Sequence, residues 1–306
     1  NKSVCLDKGW VKCYNCFNKY KGKVVIFVSV SEKYLPPYSV LMSVYEGEKA
    51  EYLKISLDSM LSQTHRTDNF VLICDGKLTE ELDRVIQEYE EQYPDIFCVK
   101  RLDKKVGTGQ CANIGIDLCK NEYIVKMDSD DIALPERCEK QIELMVSNPA
   151  LDMCGAYIEE FDTDTDEFIA VKKTPVENDE IHQYAKRRNP FNNQTLVFKK
   201  SKALAIGGYS SVKRCEDYDF VVNMLHKGAV GRNIPEILVR YRVSESNYER
   251  RHNWNNTKSF IGVRWRILKS GYSNFIDFLI PCALQIVIFI LPKSCTSIIY
   301  NKLLRK

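Results

Sequence analysis

Between Tyr38 and Val146 the apolar positions of the chain alternate between two kinds of repeat. Tyr38–Val44, Phe70–Cys74, Ile96–Val99 and Glu122–Met127 are short and almost continuously apolar, as strands covered on both faces are. Between them, Lys49–Gln63 (Tyr52, Ile55, Leu57, Met60, Leu61), Thr79–Tyr93, Thr108–Lys120 and Leu134–Val146 carry apolar residues at the spacing of one helical face. Thr79, with Leu82 and Asp83 in the turn that follows, reads as a capping box. Asp75-Gly76 ends a strand in a turn. Strand and helix in alternation predict a parallel sheet with helices on both faces.

After Val146 the order loosens. Met153–Phe161 and Phe168–Lys172 predict a hairpin around an acidic turn. Asp179–Arg187 and Glu216–His226 predict helices, and Gln194–Phe198 and Ile237–Val243 predict strands. Ser201–Ile206 begins a helix that Gly207-Gly208 stops. The expected fold class is α/β: a mostly parallel, doubly wound sheet, a smaller mixed β region and a helical C-terminal tail. Pro36-Pro37 separates a leader, 1–37, from a body at 38–245, and the tail covers 246–306.

Composition and charge narrow the classes. A chain of 306 residues with 44% hydrophobic content can bury a core, which excludes wholesale disorder. Its 14 Gly and 10 Pro exclude a collagen-like repeat. The net charge of +3 conceals an asymmetry, because residues 251–306 carry nine Lys/Arg against one acid, Asp277. An acidic body with a basic, apolar tail suits an anionic membrane surface. Nucleic acid is not expected as a partner, since these bases are interleaved with aliphatic runs instead of gathered on a polar face.

The apolar run Phe278–Pro292 is bracketed by Pro281 and Pro292 and contains Gln285. As a helix it reaches about 22 Å, against a hydrocarbon layer of roughly 30 Å. With Arg264, Arg266, Lys269, Lys293, Lys302, Arg305 and Lys306 on its flanks, it is expected to lie in a membrane interface. A spanning helix and a buried core helix compete with that reading. Most of the twelve Cys stand singly in apolar stretches, as reduced core thiols do. Cys13-Tyr-Asn-Cys16 has half the spacing of a zinc site and no second ligand pair. Val24–Val30 is too short for a secretory signal.

Chemistry concentrates at Lys126-Met-Asp128-Ser-Asp130-Asp131, where an apolar strand delivers three carboxylates at its carboxyl end. In an open α/β sheet that edge binds ligands, and clustered acids repel unless a cation sits among them. A hard divalent ion, Mn²⁺ or Mg²⁺, answers that need; a solvated turn capping the next helix is the competing reading. Asp162-Thr-Asp164-Thr-Asp166 has the same spacing, but in a hairpin turn with Glu167 where a calcium loop needs Gly. It is expected to be a solvated turn. Gly107-Thr-Gly109-Gln-Cys-Ala112 fits a dinucleotide fingerprint, yet follows the third strand instead of the first, and is read as a phosphate- or sugar-facing helix start. Glu216-Asp217-Tyr-Asp219 opens a helix, either as dipole pairing or with one carboxylate as a general base.

Taken in order, Ser43-Val-Tyr45-Glu46-Gly47-Glu48, Leu57-Asp-Ser-Met-Leu-Ser-Gln-Thr64, Asp75-Gly76, Asp128-Ser-Asp130-Asp131, Gly207-Gly-Tyr209 and Glu216-Asp217 resemble the family 2 inverting glycosyltransferases of GT-A fold. The likeness covers about 38–245 and is greatest to bacterial enzymes that extend lipid-linked sugars for O-antigen, capsule or exopolysaccharide. It implies a nucleotide-binding half at 38–131 and an acceptor half at 132–245. The implied donor is a nucleotide-sugar, expected to be a UDP-sugar, and the implied acceptor a lipid-diphosphate-linked saccharide. The implied location is the cytoplasmic face of a bacterial inner membrane, peripheral or monotopic.

By the same resemblance Tyr45, Glu46, Asp75, Asp128 and Ser129 line the nucleotide, with Tyr45 and Asp75 at the uracil and ribose. Asp130, with Asp128, holds the metal. Asp217 is the base and Glu216 supports it. Two positions depart from the pattern: Cys74 stands where a first acid is usual, and Asn193 stands in Asn189-Pro-Phe-Asn-Asn193 where relatives often carry His. A nucleotidyltransferase would share the layer and the metal, but should carry a Gly-rich, Lys-containing loop after the first strand. Ser43–Glu48 has only Gly47. A non-catalytic membrane-associated binding module would keep the fold without needing these acids.

Overall fold

The computed structural model describes residues 34–243 and 254–290, together with two short strands, β1 (Trp10–Val11) and β2 (Val28–Ser29). The chain divides into two compact units, Asn1–Pro36 and Pro37–Lys306. In the first, β1 and β2 pair antiparallel. Cys13 and Cys16, and the tail bases Lys293, Lys302, Arg305 and Lys306, lie outside the described residues.

The second unit is built on one sheet. β3 (Tyr38–Val44), β4 (Asn69–Cys74), β5 (Phe97–Arg101) and β6 (Tyr123–Asp128) are mutually parallel in the order β5-β4-β3-β6. α1 (Ala50–Leu61), α2 (Glu80–Gln92) and α3 (Thr108–Leu118) cross over between them. Every residue of β4 is buried, which is why it reads as a continuous apolar run. In α2 the buried residues are Leu82, Ile86 and Tyr89, one face at helical spacing. The helix begins at Thr79, whose hydroxyl accepts the Leu82 N–H at 3.3 Å. Leu82 occupies the position that a capping box needs for Glu or Gln, so only half the expected box forms.

The sheet continues as β10-β8-β11-β7, with β9 on β8, and is mixed. β8 (Met153–Asp162) and β9 (Phe168–Lys172) form the expected hairpin. β11 (Gly231–Val243) runs parallel to β8 and pairs antiparallel with β7 (Ile132–Ala133). β11 begins six residues earlier than its apolar pattern suggested. Register shifts on either side of Ile237 absorb Pro235-Glu236 as irregularities, which is how a proline enters a strand. The strand expected at Gln194–Phe198 is split. Asn193–Thr195 forms a turn of 3₁₀ helix and β10 is only Val197–Lys199. The Asn192 carbonyl takes both the N–H and the hydroxyl of Thr195, at 2.9 and 2.8 Å, a local side-chain bond that competes with the sheet ladder.

The remaining helices are α4 (Arg137–Ser147), α5 (Asn178–Ala185), α6 (Lys200–Ala205), α7 (Glu216–His226), α8 (Trp254–Lys269) and α9 (Phe275–Ile290). α9 does not stop at Pro281 but runs through it, starting at Asn274, whose side chain accepts the Asp277 N–H at 2.9 Å. It buries Asp277, Cys282, Gln285 and Ile288 and exposes Phe275, Ile276, Leu279, Leu284, Val287 and Ile290. Among the described residues no helix is long and apolar enough to cross a membrane. The described cysteines are all free thiols, buried or half-buried.

Candidate functional site

Three parallel strands end together. Val44 of β3 pairs with Cys74 of β4, and Ser43 with Asp128 of β6. Tyr45, Asp75 and Asp128 therefore leave the sheet at one edge. The strand order turns at this point, since β4 and β5 lie on one side of β3 and β6 on the other. Such a switch opens a crevice at the carboxyl ends of the strands.

On the β3–β4 side the Asp75 carboxylate accepts the N–H groups of Val106 and Gly107 at 2.6 and 3.1 Å. The amides ahead of α3, read above as facing a phosphate or sugar, are thus bonded to the protein's own acid. This anchors the loop that carries Lys105, whose ammonium sits 4.5 Å over the Tyr45 ring. The loop folds back onto this ring at Gly47, where a Cβ would lie 2.5 Å from Tyr45 Cε2 and would displace the side chain. Glu46 is exposed on the same loop. Glu48 accepts the Ser129 hydroxyl at 2.7 Å, tying this loop to the acidic turn.

In that turn the Asp128 carbonyl accepts the Ser56 hydroxyl at 2.9 Å and the Asp130 carbonyl accepts Arg242 Nε at 2.9 Å. Arg242 packs its guanidinium over the rings of Tyr52 and Phe161. Asp131 is fully buried; its Oδ1 accepts the Arg242 N–H at 3.0 Å and its Oδ2 has no hydrogen-bond partner. Burial drives its carboxyl well above the usual range, and the charges of Asp130 and Asp128 push the same way. Among the described residues no three acidic, His or Cys side chains are arranged to hold a metal ion. The orphaned oxygen and the crowding of like charges nonetheless fit a hard cation. Such an ion takes one or two carboxylates and leaves its other positions to water and phosphate.

The second acidic group stands at the start of α7, introduced by Cys215 in a left-handed turn at φ 60°. Asn189 Nδ2 donates to Asp217 Oδ2 at 3.1 Å. Burial pushes the Glu216 carboxyl up and the neighbouring Asp217 adds to it, while the Lys126 ammonium pulls down. Asp219 is engaged elsewhere, with the Ser210 hydroxyl and Arg266 both at 2.6 Å. α3 approaches α7 closely at Gly109, where a Cβ would be 3.3 Å from the Cβ of Glu216.

Tyr209 is packed between α3 and α7. Its ring stacks on Phe220 at 4.1 Å, and Asn113 clamps its backbone with bonds of 2.7 and 2.8 Å. The hydroxyl is buried without a partner. Burial raises it well above the usual phenol range, reinforced by Asp217, Glu216 and Asp128. Lys126, 4% exposed, lies 5.7 Å from the ring centroid.

Several contributing residues escaped the sequence reading. Lys126 had a signal, as the one charge inside an apolar strand. Asn189 lay in a segment already marked as acceptor-side, but Asn193 drew the attention. Glu48 stood in the motif Ser43–Glu48 but without a partner, and Asn113 and Arg242 had no local signal, because what they bond to lies far away in the chain.

Residues 39–212 match the model of Glycosyl transferase family 2. The amylovoran biosynthesis glycosyltransferase AmsE of Erwinia amylovora is 33% identical over 265 residues, covering 87% of this chain and 98% of that protein. An Escherichia coli UDP-Gal:alpha-D-GlcNAc-diphosphoundecaprenol beta-1,3-galactosyltransferase is 32% identical over 271 residues, covering 89% and 98%. Among solved structures, the mannosyltransferase PcManGT of Pyrobaculum calidifontis, in complex with GDP-Man and Mn²⁺, aligns with a TM-score of 0.60 at 12% identity, covering 86% of this chain and 72% of that one. S. aureus TarS 1-349 in complex with UDP aligns with a TM-score of 0.55 at 15% identity, covering 74% and 66%. At those identities the structures speak for the fold alone.

Proposed function

The chain belongs to glycosyltransferase family 2, and from that premise we propose that it moves a sugar from a UDP-sugar to a hydroxyl of a lipid-diphosphate-linked saccharide in surface-polysaccharide assembly. The observation that carries this reading is the acidic turn Asp128–Asp131 at the carboxyl ends of the parallel strands, where Asp131 Oδ2 is buried and unpaired. The UDP donor and the lipid-diphosphate acceptor are drawn from what the galactosyltransferase relative is named for.

Tyr45, Glu46, Asp75, Asp128 and Ser129 form the nucleotide side. Asp75 works through the loop it anchors, holding Lys105 over Tyr45. Asp130 and Asp128 would hold Mn²⁺ or Mg²⁺, which when bound neutralises charge growing on the leaving diphosphate. Asp217 takes the proton of the attacking hydroxyl, and the displacement inverts the anomeric carbon. Asn189 orients Asp217. Glu216, its carboxyl pushed up by burial and by the neighbouring Asp217, supports that base from the same turn of α7. The exposed apolar face of α9 supports a monotopic or peripheral seat on the cytoplasmic face of a bacterial inner membrane.

The test is to incubate the full chain with a panel of UDP-sugars, Mn²⁺ and a lipid-diphosphate-linked sugar. UDP release and the anomeric configuration of the product are then followed by NMR. An inverted glycoside is expected. Turnover only of a sugar 1-phosphate with UTP, releasing pyrophosphate, would replace the reading with nucleotidyl transfer.

A further inference from the structure

α5 ends at Ala185, and the chain then passes through Lys186, Arg187 and Arg188 to Asn189, the residue bonded to Asp217. α9 faces this segment across an open groove of about 660 Å³. One wall carries Lys186, Arg187 and Arg188; the other carries Ile280, Pro281 and Leu284. The segment is held in place from behind, because the buried Arg264 of α8 donates to the Arg187 carbonyl at 2.8 Å.

The groove keeps an excess of positive charge. Asp277, the single acid in its lining, pairs with Arg187 Nε at 2.7 Å. Lys186 donates to the neutral Gln183 at 2.9 Å. Arg188 is half-buried and has no carboxylate partner among the described residues. Beyond the groove α9 presents a solvent-exposed apolar strip, with Leu279 and Val287 each 49% and Ile290 73% exposed. Cations that meet an open hydrocarbon surface complement a molecule with a polyanionic head and a long apolar chain. A nucleotide lacks the chain, and a neutral lipid lacks the anion.

We propose that this groove seats the diphosphate of a polyprenyl-type lipid, with Lys186 and Arg188 on its phosphate oxygens and its hydrocarbon chain laid along α9. Arg188, in the groove lining, is followed directly by Asn189, which holds Asp217, so a sugar attached to that diphosphate would be carried toward Asp217. The role of that sugar as acceptor rests on the glycosyl-transfer reading; the binding of the lipid diphosphate does not.

The experiment is co-sedimentation of the full chain, without donor, with phosphatidylcholine vesicles doped with farnesyl diphosphate. Vesicles carrying phosphatidylglycerol at equal charge are compared with them. At least tenfold tighter binding to the diphosphate lipid is expected. Lys186→Glu/Arg188→Glu should lose it, while Lys227→Glu on the exposed end of α7 should retain it. Inorganic pyrophosphate should displace the wild-type chain more effectively than phosphate does, a readout that needs no variant. Equal binding to phosphatidylglycerol, no displacement by pyrophosphate, or undiminished binding by a folded double variant each overturns the proposal. Lipid-diphosphate binding without any sugar transfer would sink the transferase reading and leave the groove. Sugar transfer without such binding would do the reverse.

Discussion

Asp128-Ser-Asp130-Asp131 and Asp162-Thr-Asp164-Thr-Asp166 share the Asp-x-Asp spacing but differ in what their carboxylates touch. The first follows a buried strand whose end lies beside two others, and its last member is fully buried with one oxygen unpaired. The second caps an exposed hairpin. There Asp162 Oδ1 accepts the N–H groups of Asp164 and Thr165 at 2.9 and 3.0 Å, and Asp166 takes a left-handed φ of 58°. In the hairpin the backbone satisfies Asp162, Arg240 pairs with Asp166 at 3.0 Å, and the turn stands open to water. At the sheet edge repulsion and desolvation remain uncompensated, and that deficit is what a cation relieves. Spacing alone therefore carries little; the neighbouring strands decide.

The contrast can be broken most directly by removing one acid from each cluster. Asp130→Ala should abolish metal-dependent UDP binding measured by calorimetry, while Asp164→Ala should leave it intact. Equal binding in both would remove the metal assignment. Next in size, Asp217→Asn should keep UDP affinity and reduce transfer by about 10²–10⁴-fold. Normal turnover would shift the base to Glu216, since Asp219 is held by Arg266. Asn189→Ala should cost about 1.5 kcal/mol of transition-state stabilisation, roughly tenfold in kcat. The loss should fall in kcat with the donor KM unchanged, because Asn189 touches Asp217. An Asn189 that only supports the fold would lower the melting temperature and the activity together, and Asn189→Gln would not restore turnover.

The smallest effect is a difference in sign. The Asp131 carboxyl is raised in the folded chain, so its contribution to stability is fully present below the ordinary aspartate value of 3.8 and is lost as pH rises. Asp162 is lowered by the backbone N–H groups of Asp164 and Thr165. Its contribution is present above 3.8 and is lost as pH falls through its folded value. In chelator, Asp131→Asn should therefore raise the melting temperature at neutral pH, with the gain shrinking toward acid. Asp162→Asn should lower it at neutral pH, with the loss shrinking toward acid. Melting curves whose shifts share one sign would mean that the two environments do not differ as described.

Much of the fold could be read from the chain because its strongest cues are local. The β3–β6 alternation comes from dense apolar runs and amphipathic helices, and the hairpin from strands flanking acidic turn residues. Features that depended on competition were misread. Thr195 drew its segment out of the sheet, Pro235-Glu236 was absorbed as irregularity in a longer strand, and α9 ran on through Pro281. The acids of the candidate site were also visible, since Asp128, Asp130, Glu216 and Asp217 stand at element ends. Their partners were not. Asn189 lies 28 residues from Asp217, and Ser129 and Glu48 are 81 apart.

By itself the sequence determined the layers, the residues offering carboxylates and the charge contrast between body and tail. All of these depend on neighbours within a few positions. Only the folded chain decided which carboxylates stay unsatisfied, which base is locked away by Arg266, and which cations come to face α9. Those outcomes turn on desolvation and on contacts between distant segments, which exist only once the sheet has brought its strand ends together.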